Sequence, residues 1–272
     1  VDIGGTFTDV IVFDEESGEI EIAKTPSTPA NPAEGVINGL TKAETGIDEL
    51  DFFSHGSTVG TNALIERELP RIGLITTEGF RDVHEIRDAT KDEIWDAYED
   101  VADPYVQRRD RLGVPERIDY DGNVVEPLDE DRAREVVRVF KKRGIDTIAI
   151  SLINAYVNGD HERRLEEIVA DEHPDAFVCS SHEILPEMFE HQRMSTTVIN
   201  AALVPVVREY LTDLSTKLSD REYHGDVLAM HSGGGVMTTD AIAYYAARIA
   251  NSGPTAGAIA GQYIAEQCGF EN

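Results

Sequence analysis

Apolar residues along this chain recur with a period of two in some stretches and of three to four in others, and the two kinds of stretch take turns. Residues 1–13 read as a buried strand, a Gly4-Gly5 turn and a second strand through Val10, Ile11, Val12 and Phe13, with a third strand at 19–23. Asn31-Pro32 starts a helix that runs to about Glu44. A short strand at 52–55, a helix at 58–67 and a buried strand at 71–77 follow. Between 88 and 127 the periodicity fades into Tyr, Pro, Arg and acidic residues, which predicts a long irregular connection.

Order returns at Asp129. Ala133, Val136, Val137 and Phe140 fall at i, i+3, i+4 and i+7, one face of a helix that Gly144 ends. The run 145–153 is rich in β-branched residues, as in a sheet centre. Asp160 is expected to cap a helix with the stripe Leu165, Ile168 and Val169, and a strand is expected at 177–180. Residues 186–218 read as mostly helical, with a break or kink at Pro205. A strand at 227–231 leads into Ser232-Gly233-Gly234-Gly235, and a last helix follows Ser252-Gly253-Pro254 to about Cys268. Strands and helices in alternation define an α/β fold, and no repeat is visible.

Composition narrows the class. The 272 residues suffice for one large or two ordinary domains. Fifty-two acids against 24 bases give a net charge of −28, and only 6 of those bases are lysine. Such a surface repels nucleic acid and anionic membranes, so neither is expected as a partner. The acids are spread along a chain that is 41% apolar, which argues against disorder and for a solvated coat suited to a high-salt cytoplasm. At molar salt the Debye length of about 3 Å suppresses self-repulsion. Cys179 and Cys268 lack any C-x-x-C partner, so neither a disulfide framework nor a zinc site is expected, and a reducing, cytoplasmic setting fits. No apolar run approaches 18 residues.

Candidate chemistry gathers at strand ends, where open α/β sheets bind ligands. In Asp2-Ile3-Gly4-Gly5-Thr6-Phe7-Thr8-Asp9 a turn without Cβ atoms directs backbone N–H groups outward. Thr6 and Thr8 add hydroxyls, and Asp2 and Asp9 can hold a divalent cation against phosphate oxygens. No Gly-Lys-Ser/Thr follows, so this is not a Walker loop. His55 either acts as acid, base or metal ligand or is a hydrogen-bonded structural histidine, and Thr58 and Asn62 stand one helical turn apart beyond it. Gly233, Gly234 and Gly235 let backbone approach a ligand, or form a flexible loop. Ser252 and Gly253 precede a helix N-terminus suited to an anion. Arg193 either clamps a phosphate or carboxylate or is plain surface. Asn154 is expected at a loop edge facing the cleft, and Asp160-His161-Glu162 reads as capping. No G-x-S-x-G elbow supports a serine triad.

Together D-I-G-G-T-F-T-D, H-G-S-T-V-G-T-N-A-L-I-E-R, G-L-I-T-T-E-G-F-R-D, H-Q-R-M-S-T-T-V-I-N-A, S-G-G-G-V-M and S-G-P-T-A-G, in this order, closely resemble the hydantoinase A / 5-oxoprolinase family. The resemblance implies an acetate/sugar kinase–chaperone–actin-like (ribonuclease H-like) lobe with an additional α/β subdomain. Its segments would be 1–75 for the phosphate-binding lobe, 76–190 for the subdomain and 191–272 for the start of the catalytic region. It implies ATP and Mg²⁺ at Asp2–Asp9, with Gly4, Gly5 and Thr6 cradling phosphate, and a cyclic amide such as a hydantoin or 5-oxoproline as substrate. The segments from His55 to Asn62 and Gln192 to Thr197 would lie in or near the active cleft. A hydantoinase B-type subunit or domain is the implied partner, with a homo-oligomer also open. Carboxylase subunits of the acetone type share these motifs. A non-catalytic assembly module and, more distantly, a sugar kinase are the other readings. Two motifs depart from the family: Ser232-Gly233 stands in an S-N-G-G pattern, and Ala256 replaces a glycine. Family subunits are well over twice as long, with a second acidic Gly-Gly-Thr loop beyond the Ser252 motif. The chain is therefore expected to be the first portion of such a subunit, lacking half the nucleotide site.

Overall fold

The alternation of periods resolves into two sheets with parallel strands at their centres. The computed structural model describes residues 1–89, 93, 95–98 and 101–270. In chain order the first elements are β1 (Asp2–Ile3), β2 (Phe7–Phe13), β3 (Ile20–Pro26), α1 (Pro32–Lys42), β4 (Phe53–Ser57), α2 (Val59–Glu66), β5 (Ile72–Thr77) and α3 (Val83–Ile86). Then come β6 (Arg111–Val114), β7 (Arg117–Ile118), β8 (Val124–Glu126), α4 (Glu130–Lys142), β9 (Thr147–Ser151), α5 (Asp160–Glu172), β10 (Phe177–Ser180) and α6 (Ser181–Ile184). The last are α7 (Glu190–Ser219), β11 (Val227–Met230), β12 (Val236–Thr238), α8 (Thr239–Tyr244) and α9 (Ser252–Gln267).

The chain forms two compact units, Val1–Leu69 with Leu203–Asn272, and Pro70–Ala202. The three consecutive segments expected from the sequence become a discontinuous unit and an inserted one. The reason is pairing: β11, late in the chain, lies parallel to β4, so residues beyond 203 complete the first sheet.

The first unit carries the sheet β12-β11-β4-β1-β2-β3, in which β1, β4 and β11 are parallel and β2, β3 and β12 antiparallel to their neighbours. Period two in β2 buries Thr8 and Val10 and leaves Phe7 and Ile11 exposed. On the buried face α1 approaches so closely that a Cβ on Gly39 would lie 2.5 Å from Val10 Cγ2, which only glycine permits. Asn31 caps α1, its side chain accepting from Glu34 N at 3.1 Å, and Pro32 fills the first turn.

The second unit carries the all-parallel sheet β10-β9-β5-β6. Every residue of β5 and β9 is buried, as expected of strands covered on both faces. The α4 stripe Ala133, Val136, Val137 and Phe140 is buried with Leu165, Ile168 and Val169 of α5 in one core. The ring of Phe140 rests so near Gly73 that a Cβ there would meet it at 2.9 Å.

Three local expectations need correction. The stretch 88–127 contains β6, β7 and β8. Arg111 hides β6 from a pattern reading because a cation opens the strand, yet it is buried with Nε on Val106 O at 2.9 Å and Nη1 on Glu85 at 2.7 Å. Residues 90–92, 94, 99 and 100 of that stretch lie outside the described ones. Pro205 sits within α7, which continues through it as one 30-residue helix. Asp160 is the first residue of α5 and pairs with Arg163 at 2.7 Å, while Gly159 holds the capping position. Both cysteines are free, Cys179 buried and Cys268 exposed. No helix among the described residues is long and apolar enough to cross a membrane.

Candidate functional site

Parallel strands β1, β4 and β11 end at one edge of the first unit's sheet, and three loops leave from there. The first is the turn at residues 4–6. Gly4 N donates to Phe7 O at 3.0 Å, closing the hairpin, whereas the amides of Gly5 and Thr6 have no partner among the described residues. No atom lies within 4 Å of where a Cβ on Gly5 would stand, so this corner is open. Thr6 is exposed. Thr8 is not: it is fully buried, with Oγ1 3.1 Å from Ser27 Oγ, because period two turns it toward α1. The hydroxyl expected to meet a phosphate is therefore a core group.

Asp2 and Asp9 face each other across the β1–β2 ladder, so their side chains share one face of the sheet. Asp2 is exposed, and Asp9 accepts from Lys24 Nζ at 2.8 and 3.0 Å. Among the described residues no group of three or more His, Cys, Asp or Glu could cage a metal. Two carboxylates completed by water and phosphate oxygens match the habit of Mg²⁺, and the open Gly5 corner suits a phosphate beside them. The residues present fit the pair.

The second loop continues β4. Thr58 N and Oγ1 both reach Ile3 O, at 3.2 and 3.3 Å, which ties the start of α2 to the end of β1. Asn62 Nδ2 donates to Thr58 Oγ1 at 3.3 Å. The third loop follows β11. There Gly233 N donates to His231 Nδ1 and Gly234 N to His231 O, each at 2.9 Å, so two of the three glycine amides close a hairpin instead of lining an open cradle. The loop is tied to α9, since Thr255 Oγ1 donates to Ser232 O at 3.0 Å. Ser252 opens α9 with its Oγ buried and unpartnered among the described residues, and no atom crowds Gly253. Thr61 Oγ1 bonds to Ala250 O just before it. The strand-end motifs are thus neighbours.

His55 stands apart from them, inside the core. Its ring is 2% exposed, lies 5.9 Å from Phe53 and 5.6 Å from Tyr210, and its Nδ1 meets Leu228 O at 3.1 Å. A carbonyl only accepts, so Nδ1 carries the proton. Burial lowers its pKa to about 4, and the ring is neutral. Of the alternatives open in the sequence, the geometry is that of a structural histidine.

In the second unit β5 and β9 end at a cavity of about 460 Å³ lined by, among others, Phe80, Arg87, Asp88, Arg117, Asn154 and Gln192. Asn154 adopts φ +58°, a backbone region asparagine tolerates better than most residues. Arg193 does not line it. The guanidinium is 1% exposed, with Nε donating to Ser181 Oγ at 3.2 Å, Nη1 to Glu187 O at 2.7 Å and Nη2 to Leu152 O at 2.9 Å. It pins backbone and leaves no fork for a phosphate.

Beside Arg193 lie buried groups that a capping reading of Asp160-His161-Glu162 overlooks. Glu162, fully buried, accepts from Leu152 N (2.8 Å), Ser181 Oγ (2.6 Å), His182 N (2.8 Å) and His182 Nδ1 (2.9 Å). His161 Nδ1 meets Glu116 at 2.8 Å, and Glu116 also receives Thr77 Oγ1. The sequence held a signal, since His161 stands at i with Leu165, Ile168 and Val169 at i+4, i+7 and i+8. A titratable group heading an apolar stripe is buried with a partner.

Comparison with known proteins agrees with this architecture. The hydantoinase/oxoprolinase N-terminal region matches residues 1–173 and the hydantoinase/oxoprolinase region matches 193–272. The chain belongs to the hydantoinase/oxoprolinase family, and its mixed α/β architecture is of the actin-like ATPase type. It is 34% identical to the acetophenone carboxylase gamma subunit of Aromatoleum aromaticum, over all of this chain and 40% of that one. It is also 34% identical to caprolactamase subunit alpha of Pseudomonas jessenii, with the same coverage. The crystal structure of that ATP-dependent caprolactamase superposes with a TM-score of 0.90, 33% identity, and 99% of this chain on 40% of that one. A nucleotide-free acetone carboxylase structure gives 0.89 at 30% identity, covering all of this chain and 41% of that one. The chain spans about 40% of the length of these relatives.

Proposed function

We propose that this chain is the amino-terminal part of an ATP-dependent enzyme that opens a cyclic amide such as a hydantoin or 5-oxoproline. One observation carries the reading: an open Gly4-Gly5-Thr6 corner at the ends of parallel strands, with Asp2 and Asp9 on one sheet face beside it. When bound, ATP supplies a phosphoryl group that makes the amide carbonyl oxygen a leaving group. The chain's own residues have limited tasks. Gly5 and Thr6 offer amide donors, and Thr6 adds its hydroxyl. Asp2 and Asp9 would hold Mg²⁺, which would neutralise phosphate charge there, and Lys24 is the cation now paired with Asp9. Ser252 and Gly253 offer donors at a helix N-terminus. Thr58 and Asn62 brace the corner from the neighbouring loop.

A cytoplasmic, high-salt setting fits the charge, and a hydantoinase B-type subunit or domain is the proposed partner. The decisive experiment is ring opening of hydantoin and 5-oxoproline with Mg·ATP by the complete subunit and its partner. Asp2→Asn and Gly5→Val are expected to abolish it while leaving the melting temperature within a few degrees. Retained activity in both would refute the reading. A second reading, an ATP-dependent carboxylase subunit, is favoured by the acetophenone and acetone carboxylase likenesses. Consumption of ATP with a ketone and bicarbonate, and not with a cyclic amide, would select it.

A further inference from the structure

The cavity in the second unit holds polar groups whose orientations are forced. The Asp88 carboxylate only accepts, so the Gln192 atom 2.8 Å from it is Nε2, and Oε1 is the free end. The Ile118 carbonyl also only accepts, so Asn154 gives it Nδ2 at 2.9 Å and keeps Oδ1 unpaired. Two carboxamide oxygens among the lining residues therefore lack donors among the described residues. Arg117 offers the converse. Its guanidinium lies 5.0 Å from the centre of the Phe80 ring and makes no hydrogen bond or ion pair among the described residues. Phe80, Ile153 and Phe189 add apolar wall, and the volume of about 460 Å³ lies in the range of small-molecule sites.

Unpaired acceptors and an unpaired donor in one lining suit a ligand carrying both an N–H and a carbonyl. A bare carboxylate brings acceptors only and would leave both carboxamide oxygens without a donor, while the charges of Asp88 and Glu190 are matched in the same lining by Arg87 and Arg117. A ring amide is held cis and shows N–H and C=O along one edge, whereas an open-chain secondary amide is trans and shows them on opposite edges. We propose that this cavity binds the ring-amide substrate, its N–H donating to the carboxamide oxygens of Asn154 and Gln192 and its carbonyl accepting from Arg117. The inference rests on the cyclic-amide reading above and assigns the organic substrate to the second unit. The left-handed backbone of Asn154 then keeps Oδ1 at the cavity wall.

The test is calorimetric or ligand-observed NMR titration of the whole chain, without nucleotide, against 2-pyrrolidinone and hydantoin, with N-methylacetamide and propionate as controls. Ring amides are expected to bind and the controls not to. Asn154→Gly (which keeps the left-handed backbone), Arg117→Met and Gln192→Leu are each expected to weaken binding about ten-fold. Thermal melts report folding, and Gln192→Leu, exposed on the first turn of α7, serves if the other variants do not fold. Absence of ring-amide binding, equal binding of N-methylacetamide, or affinity unchanged in every folded variant would overturn the assignment. Mg·ATP is titrated separately, against the complete subunit. Ring-amide binding without ATP binding would sink the phosphoryl-transfer reading and keep this one, and ATP binding without ring-amide binding would do the reverse.

Discussion

Glu162→Gln probes the buried cluster that supports the second unit's sheet ends. The carboxylate takes four donors through two oxygens: Leu152 N and Ser181 Oγ on Oε1, His182 N and Nδ1 on Oε2. A carboxamide replaces one oxygen with an NH2, so whichever way it turns, one backbone N–H, that of Leu152 or of His182, faces another donor, while the Ser181 hydroxyl or the neutral His182 ring can turn to accept. A hydrogen bond to a charged group contributes about 1.5–3 kcal/mol, so losing the one to a buried backbone N–H costs about that much, a sizeable share of a domain's stability. The assay is urea denaturation followed by circular dichroism in concentrated KCl at neutral pH. A loss below about 1 kcal/mol would refute the account of a saturated buried carboxylate. The pH dependence supplies an independent check. Burial opposes protonation of His182, but its hydrogen bond to Glu162 and the surrounding carboxylates outweigh this, so its pKa sits above the usual histidine value. Stabilisation from a raised histidine pKa is complete below the unfolded value near 6.5 and is lost as pH rises through the folded one. Wild type is therefore expected to lose this increment on the alkaline side of 6.5, and Glu162→Gln to lack the loss.

Other expectations follow from burial and charge. His55, with its pKa lowered to about 4, stabilises the fold fully above pH 6.5 and progressively less as pH falls toward 4, by up to about 3 kcal/mol. His55→Phe should flatten that acid slope in urea midpoints measured between pH 4.5 and 7, and an unchanged slope would contradict a neutral core histidine. Phe140→Ala should cost about 3–5 kcal/mol in chemical denaturation, because its ring fills the space over Gly73. At a net charge of −28, raising KCl from low to multimolar concentration should raise the melting temperature, and a constant value would remove the case for a salt-adapted surface.

Much of the architecture was legible in the order of residues. The α4 stripe, the bounds of β10 and the hairpin through Gly4-Gly5 match their expectations because each depends on neighbours a few residues apart. Where a polar residue meets a distant partner, the pattern misleads. Arg111 opens a buried strand only because Glu85 neutralises it, and Thr8 looks like a phosphate contact until α1 covers it. Arg193 has the chemistry of an anion clamp, but the carbonyls of Leu152 and Glu187 occupy its donors.

The amino-acid order by itself determined the alternating α/β character, the acidic coat, the family, and the loops where glycine and hydroxyl residues collect. These are set by local periodicity, composition and backbone freedom, which need no knowledge of distant contacts. Tertiary structure alone decided that β11 returns to β4 and splits the chain into a discontinuous unit and an insert. It also decided which polar side chains are sealed in cores and which stay open at a strand end. Both outcomes rest on pairings between residues far apart in the chain, and a linear pattern carries no record of which pairings close.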